Sequence, residues 1–264
     1  MFIFWGTKRV QKRLGYVADF CPLCRSPRAF RLSRIGMAGH VYGVSVGGGK
    51  LAGFERFCLT CKTVLGAEHE AYSNIAKDYP LERVPESNQI SHLIRATNPE
   101  LAERYARRLE LEQDLRRGNA VIDTATRKHL IKEPFLILAP AVERAFESTH
   151  IDLPLLLTIA AAIAVPIGAF WLFDLFLVGD AKELMPMFLA AIGLASFVAV
   201  LVQGHLAKNR FLRRHFYPKL AQALVPLRPQ PAELAMVLSE LRQLGFALGK
   251  RTNPAALEPL LRPA

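Results

Sequence analysis

Residues 153–173 read LPLLLTIAAAIAVPIGAFWLF, 21 consecutive residues without a charge. As a helix rising 1.5 Å per residue, this stretch covers about 31 Å, the thickness of a bilayer's hydrocarbon layer. Residues 184–202, LMPMFLAAIGLASFVAVLV, cover about 28 Å by the same arithmetic. The ten residues between them, DLFLVGDAKE, leave room only for a tight connection. Two buried core helices of a soluble protein are the alternative, but such helices keep a polar face and these have none. The sequence therefore predicts a transmembrane hairpin over residues 151–207, with spans at about 153–173 and 184–204.

Charge sets the expected orientation. The loop holds Lys182 against Asp174, Asp180 and Glu183, whereas the second span exits into KNRFLRRHF, with Lys208, Arg210, Arg213 and Arg214. Lys132 and Arg144 precede the first span. The positive-inside rule puts both termini in the cytoplasm, in the inner membrane for a bacterial chain, with Trp171 at the outer interface. Small residues recur every four positions, at Ala160, Ala164 and Gly168 and at Ala191, Ala195 and Ala199. Such faces favour close helix packing, within the hairpin or in a homo-oligomer.

Working outward, the chain of 264 residues carries a formal charge of +11, unevenly spread. Residues 1–62 are net +9, residues 63–150 net −2, residues 151–207 net −3 and the tail net +7. An apolar share of 51% excludes a disordered chain, and four cysteines are too few for a secreted disulfide scaffold.

The cysteines form two pairs, Cys21-Pro-Leu-Cys24 and Cys58-Leu-Thr-Cys61. Two such turns complete a tetrahedral Cys₄ shell for Zn²⁺, closed to water and hence structural. A redox pair would open a helix, and disulfides are disfavoured on a reducing cytoplasmic face. Here strand-like runs separate the pairs: 27–35, 40–46 and 50–57, with Gly47-Gly48-Gly49 as the last turn. Gly-Gly-Gly-Lys50 lacks the spacing of a phosphate loop. Arg25 and Lys62, each following a CxxC, are expected to offset the negative charge of a zinc tetrathiolate, while His40 and His69 are not needed as ligands.

The first 65 or so residues, MFIFWGTKRVQKRLGYVADFCPLC…ERFCLTCKTVLG, resemble the zinc-ribbon domains that open many uncharacterised bacterial membrane proteins. Those begin with a short aromatic strand, a Gly-Thr/Arg-Lys turn and a CPxC knuckle. The resemblance implies that Cys21, Cys24, Cys58 and Cys61 are zinc ligands, and it implies no activity. Many ribbon knuckles carry Gly after the second cysteine, where Arg25 and Lys62 stand here.

Beyond the ribbon, residues 67–150 read as a cytoplasmic helical segment. Asn98-Pro99 is an N-terminal signal for a helix running to Arg117, with Gly118 as its stop. Residues 135–140, FLILAP, are expected either to lie on the inner membrane surface or to pack beneath the helices. Residues 208–264 join a basic anchor to an amphipathic helix opened by Pro231, striped by Leu234, Val237, Leu238, Leu241, Leu244 and Leu248. That stripe is expected to dock on a partner or on the chain's own middle segment. Asn253-Pro254 is expected to start a last helix.

The whole reads as an α+β modular membrane protein: zinc ribbon (1–66), helical segment, hairpin and helical tail. No catalytic constellation stands out, so the expected role is a non-enzymatic anchor that recruits a protein partner. The basic ribbon is expected to lie near anionic lipid headgroups. In a second reading it binds nucleic acid, with Arg28, Arg31 and Arg34 interleaved with Phe30. A third makes the chain an accessory channel or transporter subunit, with Asp174 and His205 as the residues to examine.

Overall fold

A computed structural model describes residues 5–41, 44–45, 47, 49–80, 85, 88–118, 122–147, 152–176 and 185–261. The N-terminal region is an antiparallel sheet of β1 (Trp5–Cys21), β2 (Ser26–Val41), β4 (Lys50–Cys58) and β5 (Val64–Ala67), in that spatial order, with short β3 (Val44–Ser45) beside β2. β1 is 17 residues long, about 55 Å when extended. Gly6-Thr7-Lys8, expected as a turn, lies inside it, paired with His40, Gly39 and Ala38. Tyr42, Gly43 and Val46 of the expected strand 40–46, and Gly48 of the expected turn, lie outside the described residues.

The half of the sheet nearest the cysteines is covered on both faces. Val17 and Phe30, paired across β1 and β2, point into the main core. Ala18 and Ala29, the next pair, point the other way, onto Leu93 of α1 (Gln89–Thr97). The outer edge of β1 is closed there too. Tyr16 and Ala76 exchange backbone hydrogen bonds, the Ala18 amide donates to Thr97 Oγ1, and its carbonyl accepts from Asn98 Nδ2. Gly15 permits this approach, since a Cβ there would stand 2.3 Å from the Ala76 carbonyl oxygen. Asn98 is thus held by the sheet rather than capping a helix. The expected helix from it is two, α2 (Leu101–Arg104) and α3 (Ala106–Arg117), broken where Tyr105 stacks on Phe20. Gly118 ends α3 in the left-handed conformation, as read from the sequence.

The main core is shared by the sheet and the helices around it. α4 (Thr124–Glu147) buries Phe135, Leu138 and Ala139, so the FLILAP run packs into the main core. α7 (Tyr217–Leu224) contributes Leu220 and Leu224, and α8 (Pro231–Gln243) contributes Leu234, Val237, Leu238 and Leu241. α8 docks on α4, clamped by Arg127–Glu233 and by Lys128 and Lys132 on Glu240. The tail's stripe therefore meets the chain's own middle segment. α8 stops at Gln243, leaving Leu244 exposed, and Leu248 reaches the core from α9 (Ala247–Arg251). α10 (Pro254–Leu261) starts where Asn253 Oδ1 accepts the Ala255 amide.

α5 (Leu153–Phe176) and α6 (Met185–His215) form an antiparallel pair. Phe173 and Phe188 meet at one end, ring centroids 6.0 Å apart, and Arg210 grips both carboxylate oxygens of Asp152 at the other. Their most apolar windows have a mean hydropathy of 2.3 and are only 6% and 0% buried, the reverse of soluble core helices. Both are long and apolar enough to cross a membrane. Asp180, Lys182, Glu183 and Leu184 lie outside the described residues. The small-residue stripes are not all at the α5–α6 contact, since a Cβ on Gly168 would meet nothing within 4 Å.

Candidate metal centre

The two CxxC turns sit at the ends of paired strands, the first after β1 and the second after β4. Register carries them together: β2 pairs with both strands, and Phe30 stands opposite Val17 on one side and Cys58 on the other. Cys21 Sγ lies 3.7 Å from Cys61 Sγ, and Cys24 Sγ lies 3.9 Å from Cys58 Sγ. All four sulfurs fall within 4.8 Å of one another. The edge of a tetrahedral tetrathiolate with metal–sulfur bonds near 2.3 Å is about 3.8 Å. The four cysteines, all free thiols, can hold a metal ion.

The knuckles repeat in detail. Arg25 and Lys62 follow the second cysteine of each, with φ of 53° and 56°. This is the left-handed region where glycine is favoured, so each non-glycine residue here costs on the order of 1–2 kcal/mol. The next residue carries a hydroxyl that donates to the cysteine's carbonyl, Ser26 to Cys24 at 3.1 Å and Thr63 to Cys61 at 3.3 Å. The carbonyls of Arg25 and Lys62 each accept from a helix-borne cation, Arg116 at 2.8 Å and Lys219 at 3.2 Å. The shared pattern Cys-x-x-Cys-basic-hydroxyl was visible in the sequence, and it is the signal that picks out Ser26 and Thr63.

Arg25 and Lys62 do not turn their charges on the sulfurs. The Arg25 side chain, 3% exposed, donates from Nε to Glu112 Oε2 at 2.6 Å and from Nη1 to the Ala223 carbonyl. Burial pulls its pKa down while Glu112 holds it up. Glu112 also accepts from Arg108, which reaches on to Glu133, giving an alternating chain of four charges from knuckle to α4. A carboxylate within reach outcompetes diffuse thiolate charge, which explains the departure from expectation. Lys62 is exposed, its ammonium 6.0 Å from the Phe57 ring. Sulfur contacts come instead from the Cys24 amide, 3.5 Å from Cys21 Sγ, and from Gln222 of α7, 3.9 Å from Cys24 Sγ.

Crowding the thiols makes them compete for protons. Hydrogen bonds from Cys24, Cys58 and Cys61, together with burial, push the Cys21 thiol up. Hydrogen bonds from Cys21 and Cys24 bring Cys58 down to about 7. A cation removes this competition by taking all four as thiolates.

The other candidate residues fall elsewhere. His69 lies against Phe54, and neither it nor His40 belongs to the cysteine cluster. Phe30 is fully buried, with Arg56 over its ring, so it offers no stacking surface. Asp174 and His205 lie toward opposite ends of the α5–α6 pair and do not form a site together. No family model, no curated protein and no solved structure matches this chain.

Proposed function

We propose that this protein is a two-span membrane anchor whose cytoplasmic head is built on a structural zinc ribbon, and that it works without catalysis, presenting the head to a partner. The observation that carries this reading is the shared core. Cys21, Cys58 and Cys61 belong to the same buried cluster as Leu212 of α6 and the helices α4, α7 and α8. A closed Cys₄ site gives its binding free energy to folding and leaves no coordination position for a substrate. Zinc suits four thiolates in tetrahedral array and brings no redox chemistry.

The test uses the full chain in native membranes. The reading expects resistance to alkaline extraction, protease-accessible termini only from the cytoplasmic side, and one zinc per chain. Extraction by carbonate, or a purified chain that binds no zinc, overturns it.

One observation favours nucleic acid as the partner. The distal half of the β1–β2–β4 sheet carries cations on both faces, Lys8, Lys12 and Arg34 on one and Arg13, Lys50 and Arg9, the last paired with Glu55, on the other, by strand register. A flat bilayer meets one face at a time, whereas a folded polyanion can meet both. Anisotropy titration of labelled duplex and single strands at several salt concentrations checks this. Binding that persists near physiological salt, with the slope of a multi-phosphate contact, supports it. A signal that vanishes with modest salt refutes it and leaves a protein partner.

A further inference from the structure

Where α6 leaves its apolar stretch, it meets the last turn of α4 and the end of α9, and Phe146 stands at the meeting point. Lys208 Nζ lies 5.7 Å from the Phe146 ring centroid and donates to the Phe146 carbonyl at 3.3 Å. The Arg251 guanidinium carbon lies 5.3 Å from the same centroid. Two cations on one ring repel each other, and among the described residues no carboxylate pairs with either. Of the nearby acids, Asp152 pairs with Arg210 and Glu143 accepts the Ala247 amide that opens α9, while Glu147, next to Phe146, is exposed to solvent and pairs with neither cation. Arg251 Nη1 is buried without a hydrogen-bond partner, as is the hydroxyl of Thr252, a residue 5% exposed. Arg251 is only partly buried, and its charge beside that of Lys208, with no carboxylate among the described residues paired to either, suits an acceptor that carries negative charge.

The position of the cluster says which acceptor. Leu201 and Phe197 lie seven and eleven residues before Lys208, on the same side of α6, and are 57% and 61% exposed. Gly204, one turn before Lys208, leaves that track open. An apolar stripe thus runs from the proposed membrane span to a pair of cations at headgroup depth. We propose that Lys208 and Arg251 hold the phosphate of an anionic phospholipid, with its acyl chains along Leu201 and Phe197. This rests on the membrane reading of α5 and α6.

The full chain, reconstituted in vesicles of phosphatidylcholine and phosphatidylglycerol, is released into native mass spectrometry and its retained lipid identified. Phosphatidylglycerol is expected to be retained selectively. Lys208→Gln with Arg251→Gln lowers that retention about fivefold per cation removed. Arg213→Gln with Arg214→Gln, an equal charge loss at exposed positions, leaves it unchanged. Equal losses in both variants, or no selectivity in the wild type, overturn the site. Zinc content and near-ultraviolet circular dichroism confirm folding, and Lys208→Gln alone is read if the double variant misfolds. Displacement of the lipid by millimolar glycerol phosphate would make this a soluble-anion site and overturn the lipid assignment. Alkaline extraction separates the two levels: a chain released by carbonate refutes the hairpin, while a chain that stays without lipid selectivity refutes only this site.

Discussion

The two cysteine knuckles share a sequence pattern and a backbone, yet only the first has the side chain of its left-handed residue locked into the protein. Arg25 is buried, joined to Glu112 on α3 and to α7, whereas Lys62 is exposed and touches the sheet's Phe57. Both left-handed residues accept a helix-borne cation on their carbonyls, but only in the first knuckle does the side chain also couple to the core. What differs is that α3 delivers Glu112 to Arg25, whereas among the described residues no carboxylate pairs with Lys62.

The largest expected effect removes what the knuckles share. On the proposed zinc reading, chelation or Cys58→Ser is expected to remove a metal contribution of up to about 10 kcal/mol, comparable with a whole domain's stability. Near-ultraviolet circular dichroism and zinc content are expected to fall together. Persistence of the tertiary signal in the metal-free chain would show that the helices alone hold the head.

The next strikes the locked knuckle. Glu112→Ala strands Arg25 as an unpaired buried charge and is expected to cost about 3–5 kcal/mol in urea unfolding. Arg25→Met with Glu112→Leu is expected to recover most of that loss, because both charges then leave together. If the double variant is as weak as the single, the coupling is specific to the ion pair.

A third experiment sharpens the comparison by sign. Lys62→Gly relieves left-handed strain and raises stability by about 1 kcal/mol. Arg25→Gly relieves the same strain but abandons Glu112, so it lowers stability. Unfolding midpoints that moved in one direction for both would erase the difference between the knuckles.

The smallest effect lies away from both, at the α4–α8 clamp. Arg127 holds the Glu233 carboxyl below its usual value of 4.5. A depressed carboxylate contributes stability above its unfolded pKa and loses it as pH falls through the folded value, so the contribution is intact at pH 5 and above. The pair is partly exposed, and screening limits it to less than about 1 kcal/mol. Amide protection in α8, referred to the intrinsic exchange rate at each pH, is expected to fall below pH 4.5 more in the wild type than in Glu233→Gln. Equal acid sensitivity in the two would assign the clamp to burial of Leu234 and Leu238 alone.

Several of these features were legible before any coordinates, and the reasons are local. The apolar runs of α5 and α6 need only hydropathy and length. The cysteine pairs need only spacing, Gly118 and Pro231 mark helix ends through their own backbone chemistry, and Asn253 does so through its side-chain oxygen. β1 was hidden because its first half is uncovered on both faces and so lacks the alternation that marks a half-buried strand. The break at Tyr105 was hidden because Phe20, which stacks there, lies far away in the sequence.

By itself, then, the amino-acid sequence determined two apolar helices, two cysteine knuckles and a tail helix with one apolar face. Each of these follows from side-chain type and spacing within a few turns of chain. Only the tertiary structure decided that the tail covers α4, that Asn98 serves a strand edge, and that Arg25 finds Glu112 rather than the sulfurs. Those outcomes depend on which distant group arrives within hydrogen-bond reach, and a buried charge takes the nearest opposite charge that the fold delivers.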